Sequence, residues 1–115
     1  MLESEDIVRL RHMLDAARKA TELTKKCDRS DLDKDETLAL AVVRLLEILG
    51  EAAKNVSDKC RQENPAIPWR QIAGTRDRLI HGYFDVDLDI VWKIISVDLP
   101  ALIQQLEKIL PNSGR

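Results

Sequence analysis

Along most of the chain, apolar residues recur at spacings of three and four, which is the period of one face of an α-helix. The first such stripe consists of Ile7, Leu10, Leu14, Ala17 and Thr21. Because the hydroxyl of Ser4 could cap the first turn, we expect helix one over residues 5–27. The polar stretch at residues 28–31 then predicts a turn.

The second apolar stripe is broader than the first. Its positions are Leu38, Ala41, Leu45, Ile48, Leu49, Ala52 and Val56, widened by Val42, Leu46 and Ala53. Asp33, followed three residues later by Glu36, resembles a capping box, so we expect helix two over residues 34–61. A stripe this broad can contact two neighbours, which are either two helices of the same chain or one such helix and a second subunit.

Two prolines separate helix two from a shorter helical segment. Pro65 and Pro68 interrupt the periodic pattern. The fixed φ of Pro68 suits the first position of a new helix, so we expect helix three over residues 68–82. Gly82 near its end could adopt the left-handed conformation that closes many helices.

The last stripe predicts helix four over residues 87–110, with Asp85 or Asp87 as its cap. Its apolar positions are Leu88, Val91, Ile95, Leu99, Leu102, Leu106 and Ile109. Pro100 lies inside this run and removes one backbone donor, so we expect a kink there and not an end. We expect the tail at residues 111–115 to be frayed.

These elements predict an all-α fold, an up-and-down bundle of four main helices. No segment alternates convincingly enough to predict a strand. A length of 115 residues with 44% hydrophobic residues suits a single domain over residues 1–115. The acidic N-terminus has no apolar leader and no apolar run could span a bilayer, so we expect a cytoplasmic protein that does not contact a membrane. Cys27 and Cys60 form no metal-type motif, and we expect free thiols.

The net charge of the chain does not indicate a nucleic-acid-binding protein, since 18 basic and 20 acidic residues leave a formal charge of −2. The distribution is less even, because residues 54–81 hold six basic side chains and three acidic ones. This excess could meet an anion, or it could form a solvated face with ordinary ion pairs. Arg70 and Arg78 belong to it and could contact RNA phosphates.

The side chains that could take part in catalysis are concentrated in the segment from Arg76 to Tyr83. Histidine can accept or deliver a proton near neutral pH, and arginine holds phosphate while remaining charged. On a regular helix Arg76 and Tyr83 lie about 20° apart around the axis, whereas Arg76 and His81 lie about 140° apart. Arg76 and His81 would therefore meet only if the helix opens at Gly82, or if two copies face each other across a two-fold axis.

The run from Ile67 to Asp87 closely resembles the signature of HepT-like HEPN proteins. Arg76, Asp77, His81 and Tyr83 stand at the spacing of the family motif, and Leu49-Gly50-Glu51-Ala52-Ala53 is a second match. These proteins are the toxin halves of prokaryotic pairs whose partner is a minimal nucleotidyltransferase. The resemblance extends in pattern over about residues 5–110 and implies the HEPN fold and an RNA substrate, with no cofactor. The broad apolar stripe of helix two and the separation of about 140° between Arg76 and His81 predict a homodimer.

The same resemblance implies a role for each matching residue. Arg76 and His81 would form a ribonuclease pair that cleaves RNA without metal, oriented by Asp77 and supported by Glu51 from helix two. Tyr83 would be the residue onto which the partner enzyme transfers AMP from ATP, which would silence the toxin, because added phosphate would occupy the substrate's place beside the arginine. An alternative is a HEPN domain without catalysis, which binds nucleotide or a partner protein.

Two other patterns are weaker. Gly74-Thr75 followed by Asp85-Val86-Asp87 loosely matches a nucleotidyltransferase pattern, but no alternating segment that predicts a strand surrounds these carboxylates. Asp85, Asp87 and Asp89 are spaced like the first ligands of a calcium loop, but Ile90 stands in place of its glycine and Ser96 in place of its last glutamate. Helix capping explains these acids better.

Overall fold

The computed structural model describes residues 2–81 and 85–111, and these residues are overwhelmingly helical. The predicted all-α class is confirmed. The helices and strands, in chain order, are α1 (Ser4–Thr24), α2 (Arg29–Lys34), α3 (Glu36–Lys54), α4 (Asp58–Glu63), α5 (Trp69–Ala73), α6 (Thr75–Leu79), β1 (Ile80–His81), β2 (Asp85–Val86), α7 (Leu88–Lys93) and α8 (Leu99–Ile109).

Three long helices form the frame of the bundle. Helix α1 packs along α3 on one side and along α8 on the other. Leu10 of α1, Leu46 of α3 and Leu106 of α8 are fully buried between them. Burial of these apolar stripes is the main source of helix stability in a bundle of this size, because isolated helices of such length are marginal in water.

The ends of the first helix differ slightly from the prediction. Helix α1 begins at Ser4 itself, and the residue before it, Glu3, makes no side-chain capping bond. The prediction that Ser4 caps the helix is therefore wrong. No helix in the described ranges is both long and apolar enough to traverse a lipid bilayer.

The start of helix two also differs. The expected turn at residues 28–31 opens a short helix, α2, because Asp28 and Asp31 form a reciprocal capping box. Helix α3 is capped by Asp35, whose carboxylate accepts from the backbone N–H of Leu38 at 3.0 Å. The capping box predicted from Asp33 and Glu36 is wrong, since the cap lies two residues further along the chain.

Helix two does not run on to residue 61. It ends at Lys54, and α4 starts after a short turn. Ser57 breaks the helix in two ways. Its hydroxyl oxygen accepts from the N–H of Cys60 at 3.1 Å, while its own N–H and hydroxyl donate to the buried carboxylate of Asp6 at 2.8 and 2.6 Å. These contacts with α1 outweigh the periodicity, which favours one continuous helix.

Helix three is also interrupted. Pro68 precedes its first helical residue instead of occupying it, and Gly74 separates α5 from α6. The chain then becomes extended at Ile80, where β1 pairs antiparallel with β2 and places His81 opposite Asp85. The predictions of a helix through residue 82 and of no strand are both wrong, and Gly82 lies outside the described residues.

The last helix carries the irregularity expected near Pro100. Residues Ile94–Asp98 form a π-helical turn between α7 and α8, in which the N–H of Leu99 donates to the carbonyl of Ile94. A wider turn accommodates a proline that lacks an N–H and crowds the preceding carbonyl. Asp87 caps α7 as predicted, accepting from Asp89 and Ile90. Of the predicted frayed tail, residues 112–115 lie outside the described ranges.

Both cysteines are free thiols, as predicted. Cys27 is half-buried after α1, whereas Cys60 is buried in α4. Burial raises the pKa of the Cys60 thiol, because the thiolate would lose hydration there. Cys60 is therefore a packing residue.

Candidate functional site

A close backbone approach places α6 beside α3. A Cβ atom on Gly50 would lie 2.9 Å from the carbonyl oxygen of Ile72 and 3.6 Å from the Cβ of Thr75. The first distance is shorter than packed atoms tolerate, so glycine is the residue that fits at this crossing. The second sequence match, around Gly50, thus has a structural reason.

Thr75 secures the break between α5 and α6. It is 3% exposed, and its hydroxyl donates to the carbonyl of Ile72 at 2.6 Å. This bond satisfies a carbonyl at the end of α5, where the regular helical ladder stops at Gly74. The adjacent residue, Arg76, is thereby fixed at the start of α6, next to α3.

Arg76 lies at the edge of a polar cleft of about 360 Å³ between α3 and the α5–α6 break. The cleft is lined by Arg44, Glu47, Gly50, Glu51, Lys54, Ala73 and Arg76. The Nε of Arg76 lies 3.7 Å from the Oε2 of Glu47, while the arginine side chain is 74% exposed. One edge of the guanidinium therefore faces a carboxylate, and the rest is open to solvent.

Two carboxylates and three cations alternate around this cleft. Glu47 also lies 4.0 Å from Arg44, and Glu51 lies 3.9 Å from Lys54. Glu51, the acid implied by the family resemblance, therefore lies in the same cleft as Arg76 but pairs elsewhere. A cleft with a net positive charge and a partly free guanidinium can receive a phosphate.

His81 projects from β1 and is exposed. Among the residues that the structure describes, its side chain makes no hydrogen bond or ion pair, so Arg76 and His81 are not hydrogen-bonded to each other within one chain. The angle of about 140° assumed a regular helix, which does not exist at His81. That geometric argument for a two-chain site is wrong.

The remaining candidate residues are dispersed around this corner. Arg78 lies 4.0 Å from Asp98 of the π-helical turn, on a different side of α6 from the polar cleft. Arg70 and Asp77 are exposed, and neither forms an ion pair within the described ranges. Tyr83 lies outside the described residues.

Comparison with known proteins identifies the family. The family described as Ribonuclease HepT-like matches residues 13–109. The chain belongs to this HepT-like ribonuclease family. A Caldanaerobacter subterraneus subsp. tengcongensis protein named "Putative RNase" is 42% identical over 101 residues, covering 88% of this chain and 90% of its own length.

Archaeal relatives are similarly close. "Probable ribonuclease HepT" of Thermococcus cleftensis is 42% identical over 88 residues, which cover 76% of this HepT-like chain and 80% of the relative. A protein of Methanocaldococcus jannaschii named "Putative RNase" is 35% identical over 95 residues, with coverages of 83% and 87%. No solved structure matches the chain.

Glu47 is a site residue of this HepT-like protein that the sequence analysis missed. Its position within the apolar stripe of helix two concealed it, although an acid flanked by Leu46 and Ile48 is itself a signal. It lies one turn before Glu51 on the same helix face. An acidic pair at this spacing, beside a glycine, could have indicated a polar cleft.

The carboxylates around β2 have structural partners. Asp87 caps α7, and Asp89 accepts from the Nε of Arg29 at 2.7 Å. Capping thus accounts for Asp87, as the sequence analysis favours, whereas an ion pair accounts for Asp89. Within residues 2–81 and 85–111, no group of three or more potential metal-binding side chains is present.

Proposed function

We propose that this chain is a ribonuclease that cleaves RNA without a metal ion, with Arg76 and His81 as its catalytic pair. The observation that carries the proposal is the exposed guanidinium of Arg76, which borders a polar cleft in a chain of the HepT-like family. Exposed His81 lies five residues further on, with no side-chain partner among the described residues to occupy its ring.

The chemistry follows from these two groups. The neutral imidazole takes the proton of a ribose 2′-hydroxyl, and the oxygen attacks the adjacent phosphorus. Arg76 stabilises the charge that develops on the non-bridging phosphate oxygens. The bond from phosphorus to the 5′-oxygen then breaks, this oxygen takes up a proton from water as it leaves, and the protonated imidazole returns its proton to solvent. The products are a 2′,3′-cyclic phosphate and a free 5′-hydroxyl.

Asp77 and Glu51 complete the proposed site as orienting and supporting acids, and Arg78 and Arg70 are proposed RNA contacts. The position of Glu51 in the cleft with Arg76 supports the first assignment. The position of Arg78 does not favour its assignment as an RNA contact, because its guanidinium already lies beside the carboxylate of Asp98.

The test uses purified protein, an RNA pool and EDTA. Wild-type protein should cleave, and His81→Ala should lower the rate by at least about 100-fold, the contribution typical of a positioned proton-transfer group. His12→Ala is a matched control, because His12 is also an exposed histidine but lies on α1. If RNA remains intact at high concentrations of wild-type protein, the proposed ribonuclease activity is refuted.

We further propose that a cognate minimal nucleotidyltransferase silences this protein, as in a type VII-like toxin–antitoxin pair. The proposed reaction joins AMP from ATP to the hydroxyl oxygen of Tyr83 and releases pyrophosphate. Co-expression with an active partner should add one or more AMP masses to the peptide that contains Tyr83. An unmodified peptide, with the partner active on a control substrate, would exclude this regulation.

A homodimer, with Arg76 of one chain serving His81 of the other, is also part of the proposal. Three members of the broad apolar stripe of α3 support it, because Leu38, Leu45 and Ile48 are only partly buried within one chain. Light scattering should show twice the monomer mass at micromolar concentration. A monomer that cleaves RNA at full rate would exclude the two-chain site.

The alternative is a HEPN domain without catalysis, which binds nucleotide or a partner protein. One observation favours it, namely that Arg76 and His81 share no hydrogen bond among the described residues. Such a protein would bind a labelled nucleotide in an Arg76-dependent manner and would leave RNA intact at any concentration.

A further inference from the structure

We propose that Glu47 positions Arg76 for catalysis by holding the Nε edge of its guanidinium. This inference rests on the proposed ribonuclease function and adds a residue to it. Glu47 would not touch the RNA. It would act only through the arginine, so it is a positioning residue.

The first argument is the difference in exposure between the two partners. The side chain of Glu47 is 25% exposed, whereas that of Arg76 is 74% exposed. Glu47 lies on α3, whose neighbouring residues Leu46 and Leu49 are buried in the core, so its backbone is anchored. The arginine would have many accessible rotamers without a partner, and the carboxylate restricts them.

The second argument is which part of the guanidinium is engaged. The contact of 3.7 Å joins the Oε2 of Glu47 to the Nε of Arg76. The two terminal nitrogens carry four of the five N–H donors, and they remain available for the forked contact with phosphate that arginine favours. A carboxylate at the Nε edge therefore orients the fork without occupying it.

The third argument separates Glu47 from Glu51. Glu51 is 72% exposed and lies 3.9 Å from Lys54. Its ion pair is formed within α3 and does not include Arg76. Of the two acids, Glu47 is the one that connects α3 with α6, and the close approach at Gly50 makes this connection possible.

Charge predicts a distinctive kinetic effect. The carboxylate of Glu47 lies near two cations, with Arg44 at 4.0 Å from its Oε1. Replacing Glu47 by glutamine would remove a negative charge that repels RNA and would leave both arginines free to bind phosphate loosely. RNA should therefore bind at least as well, while the transition state should be stabilised less.

The main experiment compares steady-state cleavage by wild-type protein, Glu47→Gln and Glu47→Asp. We expect kcat of Glu47→Gln to fall by about 10- to 100-fold, the loss typical of a misplaced catalytic group, with KM unchanged or lower. Glu47→Asp keeps the charge at a shorter reach, so its kcat should lie between the two. A partly exposed ion pair adds little stability, so the variants should fold.

Glu107→Gln is the matched control, since Glu107 also pairs with an arginine of another helix, Arg18, and is 45% exposed. Its kcat and KM should remain those of the wild type. A fall in kcat for Glu47→Gln with a raised KM, or with no recovery in Glu47→Asp, would overturn the proposal. So would an equal loss in the Glu107→Gln control.

A double-mutant cycle tests whether Glu47 acts through the arginine. In an Arg76→Ala background, Glu47→Gln should change the residual rate less than twofold. A full further loss would show an independent role and overturn the proposal. The Nε–H resonance of Arg76 in an NMR spectrum, assigned with Arg76→Lys, should shift in Glu47→Gln, and an unchanged resonance would also overturn it.

Binding of a 2′-O-methyl RNA, which cannot be cleaved, separates this inference from the proposed function. If wild-type protein fails to cleave RNA, the ribonuclease proposal fails, and with it the catalytic part of the role of Glu47. The contact with Arg76 is then judged by the resonance shift and by binding. Glu47→Gln should bind the 2′-O-methyl RNA as tightly as wild type or more tightly, and weaker binding would refute the charge argument.

Discussion

The long helices and the corner from Trp69 to Val86 follow different rules. Helices α1, α3 and α8 repeat apolar residues every three or four positions and bury them against each other. In the corner, two helices of five residues each and a pair of two-residue strands follow one another. The first region is determined by local periodicity, and the second by contacts with the rest of the chain.

This difference has a functional consequence. The frame holds α3 rigidly, and α3 carries Glu47, Gly50 and Glu51 to one side of the cleft. The corner supplies Arg76 and His81 from short elements with little stability of their own. Changes in the frame should therefore affect unfolding most, whereas changes in the corner should affect activity more than stability.

The largest effect on stability is expected in the frame. Leu46 is fully buried, so Leu46→Ala should lower the free energy of unfolding by about 2–5 kcal/mol, through lost burial and the cavity that remains. Leu40→Ala is the control, because Leu40 is on the same helix but 64% exposed, and it should cost less than about 0.5 kcal/mol. Urea unfolding followed by circular dichroism measures both. Equal costs would contradict the packing described for α3.

The next largest loss of stability is expected at Ser57, which separates α3 from α4. Asp6 is 5% exposed and accepts two hydrogen bonds from Ser57, so Asp6→Ala should leave two donors unpaired and cost about 1–3 kcal/mol. Glu5→Ala, an exposed neighbour in the same turn, should be close to neutral. Denaturation midpoints that coincide for these two variants would show that the contact does not stabilise the break.

The sequence predicts the frame well and the corner poorly. Apolar spacing places the starts of α1 and α3 and the end of α8 within two residues of their bounds, because each stripe repeats over several turns. The breaks at residues 55–57 and at Gly74 depend on Asp6 and on the α3 crossing, which are distant in sequence. Local patterns hold no information about such partners, so one long helix was predicted in each place.

The sequence predicts the residues of the site through the family motif, but it does not predict how these residues are arranged in space. Arg76 and Glu51 line one cleft, and the carboxylate that lies 3.7 Å from the arginine is that of Glu47. The sequence predicts His81 to lie on a helix, because residues 68–82 contain no strong strand signal. Its extended backbone arises from pairing with Asp85, and a strand of two residues is too short to leave a recognisable pattern in the sequence.

A smaller effect on stability, with a larger one on activity, is expected at the crossing of the two regions. Gly50→Ala would place a methyl group 2.9 Å from the carbonyl oxygen of Ile72, so α5 must shift away from α3. The helix propensity of alanine offsets part of the strain, which leaves a net cost of about 1 kcal/mol. RNA cleavage should fall by about 10-fold or more as Arg76 moves from Glu47. A wild-type rate in Gly50→Ala would show that the close approach does not matter for the site.

The smallest effect is expected inside the corner. Thr75→Val removes the hydroxyl that donates to the carbonyl of Ile72 at 2.6 Å but preserves the shape, and should cost about 0.5 kcal/mol, the lower end for a hydrogen bond between neutral groups. Thr75→Ser keeps the hydroxyl and loses a methyl group, so the pair separates hydrogen bonding from packing. If the corner depends on this bond to place Arg76, Thr75→Val should lower the cleavage rate more than Thr75→Ser at temperatures where both are fully folded. The reverse order would show that Thr75 acts through packing against Gly50. The corner would then be stabilised by side-chain packing, as the frame is.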